Sequence, residues 1–180
     1  MAQKDFNLAN GQRAERKTLI TVAEWNDGSE SPVREILGTR TEDSSIEYNP
    51  DISTTTDIRG INYTDVNKTQ PQQDFDPFLI LGGSKLAVKL NDIRRRNALT
   101  ELSSFTIYVI TAFLGETGAY EAEKHTGCTI TYNSIGGDTN VNMPISVYFS
   151  NDCDGTGVPQ AGTVNSLGPN FEFTPSVSVQ

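Results

Sequence analysis

Histidine and cysteine are scarce in this chain, which has one His and two Cys among its 180 residues. A metal site built on several imidazoles and a scaffold held by many disulfides are therefore excluded. No apolar run reaches the length that crosses a membrane, and residues 1–17 lack the apolar segment of a secretory signal. We therefore expect a soluble domain that is made in the cytoplasm.

Basic residues are also in the minority, with 14 Lys and Arg against 23 Asp and Glu, which gives a net charge of −9. Tight DNA binding is disfavoured, because affinity for DNA comes from cations that neutralise phosphates.

Hydrophobic residues make up 36% of the chain, a fraction that is low for a compact domain and too high for a disordered one. The length suits one domain with a sizeable core.

The charges that are present form blocks along the chain. Residues 1–17 carry a net charge of +2 and residues 18–83 carry −8. Residues 84–96 carry +4, and residues 97–180 carry −7. Blocks of opposite sign favour contacts within the chain or between copies of it, although a solvated surface would give the same pattern.

Strand patterns dominate the sequence outside its first residues. Residues 1–17 have almost no apolar periodicity and are predicted to form an arm with little intrinsic order. Alternation of apolar and polar side chains then predicts a series of strands. These lie at residues 18–25, 33–37, 105–114, 128–135, 141–149 and 171–179. The strand at 105–114 is apolar on both faces and should be central in its sheet.

A long polar segment, residues 41–76, interrupts this series. Asn49-Pro50-Asp51 is a strong turn signal, so two strands, Ser45 to Tyr48 and Ser53 to Ile58, are predicted around it. Such a hairpin buries little apolar area against its own core. We expect it to be either mobile or stabilised by another chain.

One helix is predicted, over residues 84–99, with Ser84 as its N-cap. Leu86, Leu90, Ile93 and Asn97 fall on one stripe at helical spacing. The fold class that follows is mainly β: a β-sandwich or barrel of about eight strands with one flanking helix, forming a single domain over residues 18–180.

No pattern in the sequence carries catalysis, and we expect no enzymatic activity, no cofactor and no metal. His125 is the one possible imidazole base, but it lies in a predicted polar loop without a nucleophile motif. His125, Cys128 and Cys153 lack the paired spacing of zinc ligands, and buried thiols are the better interpretation. The acidic stretch from Asp152 lacks the glutamate that closes a calcium loop.

Several features favour association between copies. The polar hairpin, the basic arm and the alternating terminal strand could each pair with the sheet edge of a neighbouring copy by strand addition. Head-to-tail contacts of this kind generate rings or filaments. From these features alone, a monomeric β domain in which these segments stay unpaired remains an equal alternative.

Two long stretches of the sequence carry a resemblance to a known family. The first is SIEYNPDISTTTDIRGINYTDVNKTQPQQDFDPFLILGGSKLAVKL, and the second is AYEAEKHTGCTITYNSIGGDTNVNMPISVYFSND. Both resemble the major tail proteins, or tail tube proteins, of long-tailed phages of Gram-positive bacteria. The resemblance spans residues 18–180.

This resemblance implies a structural role in the virion tail, after assembly in the cytoplasm of the bacterial host. Such proteins form six-membered rings that stack into a tube around the tape measure protein, and DNA passes through the lumen without specific binding. The tail terminator and the baseplate or tip proteins would be further partners. We expect no C-terminal immunoglobulin-like domain, which some members carry, because the chain ends after its last predicted strand.

In this family a hairpin and the N-terminal arm commonly bridge neighbouring rings, and the basic helix is our third candidate contact. The candidate self-assembly residues are Arg13, Arg16, Lys17, Tyr48, Asn49, Pro50, Asp51, Thr54, Asp57, Arg94, Arg95 and Arg96. The alternative function is a non-catalytic receptor- or sugar-binding module of a phage particle. That alternative requires an exposed aromatic platform, whereas the aromatic residues here fall at core positions of the predicted strands.

Overall fold

The strand-rich sequence folds into an antiparallel sheet with one helix packed against it. A computed structural model describes residues 5–150 and 159–176. The strands are β1 (Leu19–Trp25), β2 (Val33–Ile36), β3 (Ile46–Glu47), β4 (Asp51–Thr56), β5 (Asn62–Lys68), β6 (Gln72–Phe75), β7 (Phe105–Glu116), β8 (Ala119–Tyr132), β9 (Ile145–Tyr148), β10 (Gln160–Val164) and β11 (Phe173–Pro175). The helix α1 spans Lys85–Arg96, and short 3-10 turns span Arg16–Thr18 and Leu99–Ser103.

Nine of the strands form one sheet in the order β2-β1-β7-β8-β9-β6-β3, with β10 and β11 attached beside β8. The long strand β8 joins two parts of this sheet. Its first residues pair with β7 on one edge and with β10 on the other. Its last residues, 129–132, pair with β9. The mainly β prediction with one flanking helix is confirmed, although the described residues contain eleven strands rather than about eight.

Strand β7 is central and covered on both faces, as its sequence predicts. Ile107 and Val109 belong to a large core that also contains the buried face of α1. Tyr108 and Ile110 point to the opposite face, into a smaller core closed by Phe171 and by Val164 of β10. Because each face of β7 packs into its own core, apolar side chains occupy both faces, and the strand lacks the usual alternation of apolar and polar residues.

The helix begins at the predicted cap. The Ser84 hydroxyl accepts a hydrogen bond from Ala87 N, and it donates one to a Glu35 carboxylate oxygen at 2.7 Å. The other Glu35 oxygen accepts a hydrogen bond from Leu86 N at 2.8 Å. Glu35 therefore brings its negative charge to the positive end of the helix dipole, where such a charge is favourable. This contact fastens α1 to β2.

The helix is shorter than the predicted span of residues 84–99, because it ends at Arg96. Asn97 ends the helix in the left-handed conformation, with a φ of 54°. Leu86, Leu90 and Ile93 are buried as predicted. Asparagine tolerates left-handed backbone better than most residues, which makes it a frequent helix terminator.

The hairpin in the polar segment is also displaced from its predicted place. β4 pairs with β5, not with the segment before Asn49, and the turn lies at residues 57–61. The short strand β3 pairs instead with β6. The actual turn contains Gly60 at a φ of 77°. Glycine adopts this conformation without steric cost, so the local sequence allows a turn at Asp57 to Ile61 as well as at Asn49-Pro50-Asp51, and the pairing of β3 with β6 selects the former.

Other sequence predictions hold in part. Met143, Ile145, Val147 and Phe149 all point into the core as predicted. The regular strand β9 is shorter than the predicted strand at 141–149, because only residues 145–148 pair with neighbours as a ladder.

In the described part of the chain, no helix has both the length and the apolar character needed to cross a membrane. Cys153, the acidic stretch from Asp152, and residues 177–180 of the terminal strand lie outside the described residues.

Candidate self-assembly surface

The β4–β5 hairpin stands apart from the nine-stranded sheet. It forms a two-stranded sheet of its own, and all seven residues of β5 are exposed. An isolated two-stranded hairpin is only marginally stable in water. Threonine pairing across the strands supports it, since the hydroxyls of Thr54 and Thr64 lie 3.4 Å apart. Thr54, one of the candidate contact residues, therefore stabilises the hairpin itself.

Large apolar side chains are exposed along this hairpin. Ile52 and Val66 lie opposite each other in the two strands and are 55% and 62% exposed. Ile58 at the tip is fully exposed, and Ile61 and Tyr63 are also exposed. A cluster of exposed apolar residues on a projecting element is typical of a surface that another chain covers.

The candidate residues Asp57, Asn49 and Asp51 have identifiable structural roles in the hairpin. One Asp57 carboxylate oxygen accepts hydrogen bonds from Arg59 N and Ile61 N, at 2.8 Å and 2.9 Å. Asn49 has a φ of 43°, and its amide donates a hydrogen bond to Gln70 O. Asp51 pairs with Lys68, and a register shift follows it. Asp57 thus holds the tip, while Asn49 and Asp51 hold the base.

Tyr48 and Pro50 complete the base of the hairpin. Both side chains are exposed, and the Tyr48 carbonyl accepts a hydrogen bond from Gln70 N. This hydrogen bond joins the two chain segments at the base of the hairpin, one leaving β3 and the other leading to β6. It therefore fixes the position at which the hairpin leaves the main sheet.

The candidate cations of α1 are partly neutralised within the chain. Arg96 pairs with Asp92 and with Glu101, and Lys89 Nζ lies 2.7 Å from Glu101. Arg94 donates a hydrogen bond to Asn91, and the exposed Arg95 has no ion pair with any residue that the structure describes. The basic block is thus smaller at the surface than its sequence indicates.

Glu101 is the centre of this charged group. Hydrogen bonds from Arg96 and then from Lys89 lower the pKa of the Glu101 carboxyl to about 2. The same carboxylate raises the pKa of the Arg96 guanidinium. The group links the C-terminal end of α1 to the turn at Leu99–Ser103.

We expect Glu101 to stabilise the fold above its ordinary pKa and to lose this effect in acid. A lowered carboxyl pKa means that protonation costs the folded state more than the unfolded state, so stability falls as the pH drops from about 5 toward 2. Thermal unfolding of the wild type and of Glu101→Gln should differ most at pH 6 and converge near pH 2. Glu30→Gln, at an exposed carboxylate, is the control and should leave this pH profile unchanged. A constant difference at all pH values would contradict the prediction.

The candidate residues of the N-terminal arm lie near the start of β1. Arg16 donates hydrogen bonds to Leu19 O and to Ser44 O, both at 2.6 Å. Lys17 pairs with Glu15, and Arg13 is exposed. Arg16 therefore ties the end of the arm to the segment before β3.

The beginning of the described arm contacts the sheet, which its sequence does not predict. Phe6 forms an isolated antiparallel bridge with Leu114, and its ring packs 5.9 Å from the ring of Phe113. The Asn7 amide donates hydrogen bonds to Ala112 O and Gly115 O. These contacts occupy the edge of β7 beyond the end of its pairing with β1.

His125 lies in strand β8, so the prediction of a polar loop there is wrong. The ring is almost completely buried against Phe149, and its Nδ1 lies 3.2 Å from Ser150 O. Residues 119–127 form a strand despite their low apolar content, because β8 pairs with a neighbouring strand on both of its edges.

Cys128 is buried near His125, as predicted. The described residues contain no group of three His, Cys, Asp or Glu side chains that could hold a metal ion.

Sequence reasoning missed the exposed apolar residues of the hairpin, because most of the segment is polar and its Ile residues were considered only for their strand propensity. Ile52, Ile58 and Val66 were visible as strand formers, but their exposure follows from the absence of a covering layer. Seven of the fifteen aromatic side chains are buried, four are partly buried, and Phe6, Tyr48, Tyr63 and Tyr148 are exposed, so the prediction of core positions holds for only part of them.

Comparison with known proteins assigns no family. No family model and no curated protein matches the chain. Among solved structures, the chain is similar to one from the anti-feeding prophage (AFP) baseplate, determined by cryo-EM with 6-fold symmetrisation. The two share 12% identity with a TM-score of 0.41, over 78% of this chain and 93% of that one. A similarity at this level assigns neither a fold family nor a function.

Proposed function

We propose that this protein is a structural subunit of a phage tail that assembles into hexameric rings, which stack as the tail tube. The observation that carries the proposal is the β4–β5 hairpin, which exposes Ile52, Ile58 and Val66 on a two-stranded sheet that no other strand of the described residues pairs with. Contact with another copy would bury these side chains and stabilise the hairpin at the same time.

The sequence resemblance to tail tube proteins, one stretch of which contains the hairpin, also supports this proposal. The tube would surround the tape measure protein and conduct DNA during ejection, with the tail terminator and baseplate proteins at its ends. A net charge of −9 suits this role, because an acidic lumen repels DNA and does not retain it. The role requires no catalysis, no cofactor and no metal.

Electron microscopy of the purified protein tests the proposal. Negatively stained samples over a range of protein concentrations should contain hollow tubes or rings, with six-fold end views. A protein that remains monomeric at high concentration would rule the proposal out. If such a monomer bound sugars or a cell-surface receptor, the alternative binding-module function would replace it.

A further inference from the structure

The N-terminal arm contains the one Asn-Gly pair of the sequence, Asn10-Gly11. The pair forms the centre of a tight turn, in which Gln12 N donates a hydrogen bond to Ala9 O at 2.9 Å. The Gln12 side chain closes the same turn, because its Oε1 accepts a hydrogen bond from Ala9 N at 3.0 Å. Gly11 has a φ of 82°, a conformation that glycine adopts without steric cost. Both hydrogen bonds lie within residues 9–12, so the turn is a local structure.

Both residues of this pair are accessible. Every residue from 9 to 17 is exposed. Apart from the neighbouring residues, no atom lies within 4 Å of the position that a Cβ would take on Gly11. Among the described residues, neither the Gly11 backbone N–H nor the Asn10 side-chain amide has a hydrogen-bond partner. The Gly11 nitrogen can therefore approach the Asn10 side chain without displacing a packed group.

This accessibility places a nucleophile next to an electrophile, in a residue type that is thermolabile in proteins. The Gly11 nitrogen loses its proton to water and attacks Asn10 Cγ, so that an N–Cγ bond forms. The Cγ–Nδ2 bond then breaks, and the side-chain nitrogen leaves as ammonia. Water opens the resulting five-membered imide at either carbonyl and leaves aspartate or isoaspartate at residue 10. The net reaction consumes water, releases ammonia and involves no oxidation or reduction.

The turn at Asp27-Gly28 has a similar local sequence but lacks the free nitrogen. Gly28 N donates a hydrogen bond to Asn26 Oδ1 at 2.8 Å, so this nitrogen is already engaged. Asp27 Oδ1 accepts a hydrogen bond from Ser29 N at 3.0 Å. Hydrogen bonds from the Ser29 side chain and then from its backbone lower the pKa of the Asp27 carboxyl, and an ionised carboxylate is a poor electrophile.

Other asparagines precede residues that hinder the attack. Asn49 precedes Pro50, which has no backbone N–H. Asn97 precedes Ala98, whose nitrogen donates a hydrogen bond to Ile93 O at 3.1 Å. A side chain on the following residue also crowds the attacking nitrogen, which glycine avoids. The structure therefore favours Asn10 over these positions.

The Asn-Gly pair lies between two points at which the arm is fixed to the rest of the protein. On one side, Asn7 donates hydrogen bonds to two carbonyls of β7. On the other side, Arg16 donates a hydrogen bond to Ser44 O at 2.6 Å. A reaction at residue 10 leaves both contacts in place, so it alters the arm and not the sheet.

We propose that Asn10-Gly11 is a site of spontaneous deamidation, at which water converts the asparagine amide to a carboxylate. The reaction changes the net charge of residues 1–17 from +2 to +1. In its isoaspartate form it also lengthens the arm backbone by one carbon atom. The inference needs only the exposed turn and is independent of the proposed assembly into a tube.

Peptide mapping of the purified protein during storage in a mildly alkaline buffer tests this inference. Residue 10 should change from an amide to a carboxyl group faster than any other asparagine that the structure describes, with isoaspartate as the major product. Gly11→Ala should slow the conversion by at least about tenfold, because its Cβ crowds the attacking nitrogen.

The Asp27→Asn variant separates the structure of the turn from its sequence. It places a second Asn-Gly pair in the same molecule, at a glycine whose nitrogen is engaged. Residue 27 of this variant should convert more slowly than residue 10, and the difference should disappear when the chain is unfolded in urea.

The outcomes decide the inference directly. Conversion at residue 10 ahead of residue 27, slowed by Gly11→Ala, supports it. An amide that persists at residue 10 in the folded protein, while the urea-unfolded chain converts, would overturn it. Equal or faster conversion at residue 27 of the folded variant would overturn the role of the free Gly11 nitrogen.

Discussion

Removal of the β4–β5 hairpin is expected to abolish tube formation and to leave the main sheet folded. Asp51 and Lys68 lie opposite each other at the base of the hairpin, so an Asn-Gly turn can join them in place of residues 52–67. The hairpin shares no strand pairing with the nine-stranded sheet. The shortened protein should therefore be a soluble monomer with an unfolding midpoint close to that of the wild type.

The size of this effect follows from the apolar area that the hairpin offers. Full burial of an aliphatic side chain such as Ile58 contributes roughly 1.5–3 kcal/mol. Because Ile52 and Val66 are already partly buried, loss of Ile52, Ile58 and Val66 together would weaken one contact by more than about a hundredfold. A repeated contact in a ring or stack amplifies this loss.

Sedimentation velocity and electron microscopy measure the outcome. A variant that keeps the hairpin but replaces Ile52 and Val66 by Thr is the matched control, because threonine preserves the strand while a hydroxyl takes the place of the ethyl group of Ile52 and of one methyl group of Val66. It should assemble less readily than the wild type and more readily than the shortened chain. Tubes of normal length from the shortened chain would refute the role of the hairpin.

Substitution of Arg34 by alanine is expected to destabilise the fold by about 3 kcal/mol or more. Arg34 in β2 forms a 2.5 Å ion pair with Glu24 in β1, and both side chains are mostly buried. It also donates a hydrogen bond to Phe171 O and lies over the Phe171 ring, 4.3 Å from its centroid. One guanidinium thus joins the edge of the sheet to the segment after β10.

Removal of the guanidinium leaves the Glu24 charge without a counter-ion in a mostly buried place, with only the long hydrogen bond from the Tyr108 hydroxyl, at 3.3 Å, as its remaining side-chain contact among the described residues. Breaking one side of such a pair typically costs 3–5 kcal/mol, because the remaining charge is desolvated without compensation. The ring of Phe171 also loses its stacking partner, while it still packs against Tyr108 at 4.9 Å. Burial, followed by the charge of Glu24, already raises the pKa of the Tyr108 hydroxyl to about 12.

Urea unfolding and hydrogen exchange test the role of Arg34. Arg34→Ala should lower the unfolding free energy and increase exchange in the β10 and β11 segments before the rest of the sheet. Arg34→Lys keeps the charge but loses the planar stacking and the second hydrogen bond, so an intermediate loss is expected. Double substitution with Glu24→Gln should recover part of the stability. Equal stability of Arg34→Ala and the wild type would contradict this account.

Local sequence predicted the elements with strong periodicity. Helix α1 begins at Ser84 as expected, since a cap and three apolar residues on one stripe are local signals. Strand β7 is central as expected, since both of its faces are apolar. Strand β8 was predicted only in its second half. Residues 119–127 carry three charges, at Glu121, Glu123 and Lys124, and become a strand through pairing with β7 and β10.

The candidate surface was predicted only in outline. The polar segment at residues 41–76 was identified as a hairpin, but Asp57 to Ile61 forms its turn. A turn at Gly60 and a turn at Asn49 are both compatible with local propensity. The pairing of β3 with β6 decides between them, because it places Asn49 at the base of the hairpin. This pairing joins residues distant in sequence and is invisible to local patterns.

By itself, the sequence determined that this protein is an acidic, mainly β chain with one capped helix. Composition and local periodicity are sufficient for this, because neither depends on which distant residues pack together. Only the tertiary structure decided which apolar residues remain uncovered. Ile58 and Val88 resemble any other aliphatic residues in the sequence, and their exposure results from how distant strands and loops pack. The low histidine and cysteine content excluded metal-rich and disulfide-rich scaffolds, and the exposed hairpin then supplied the surface through which copies are proposed to join.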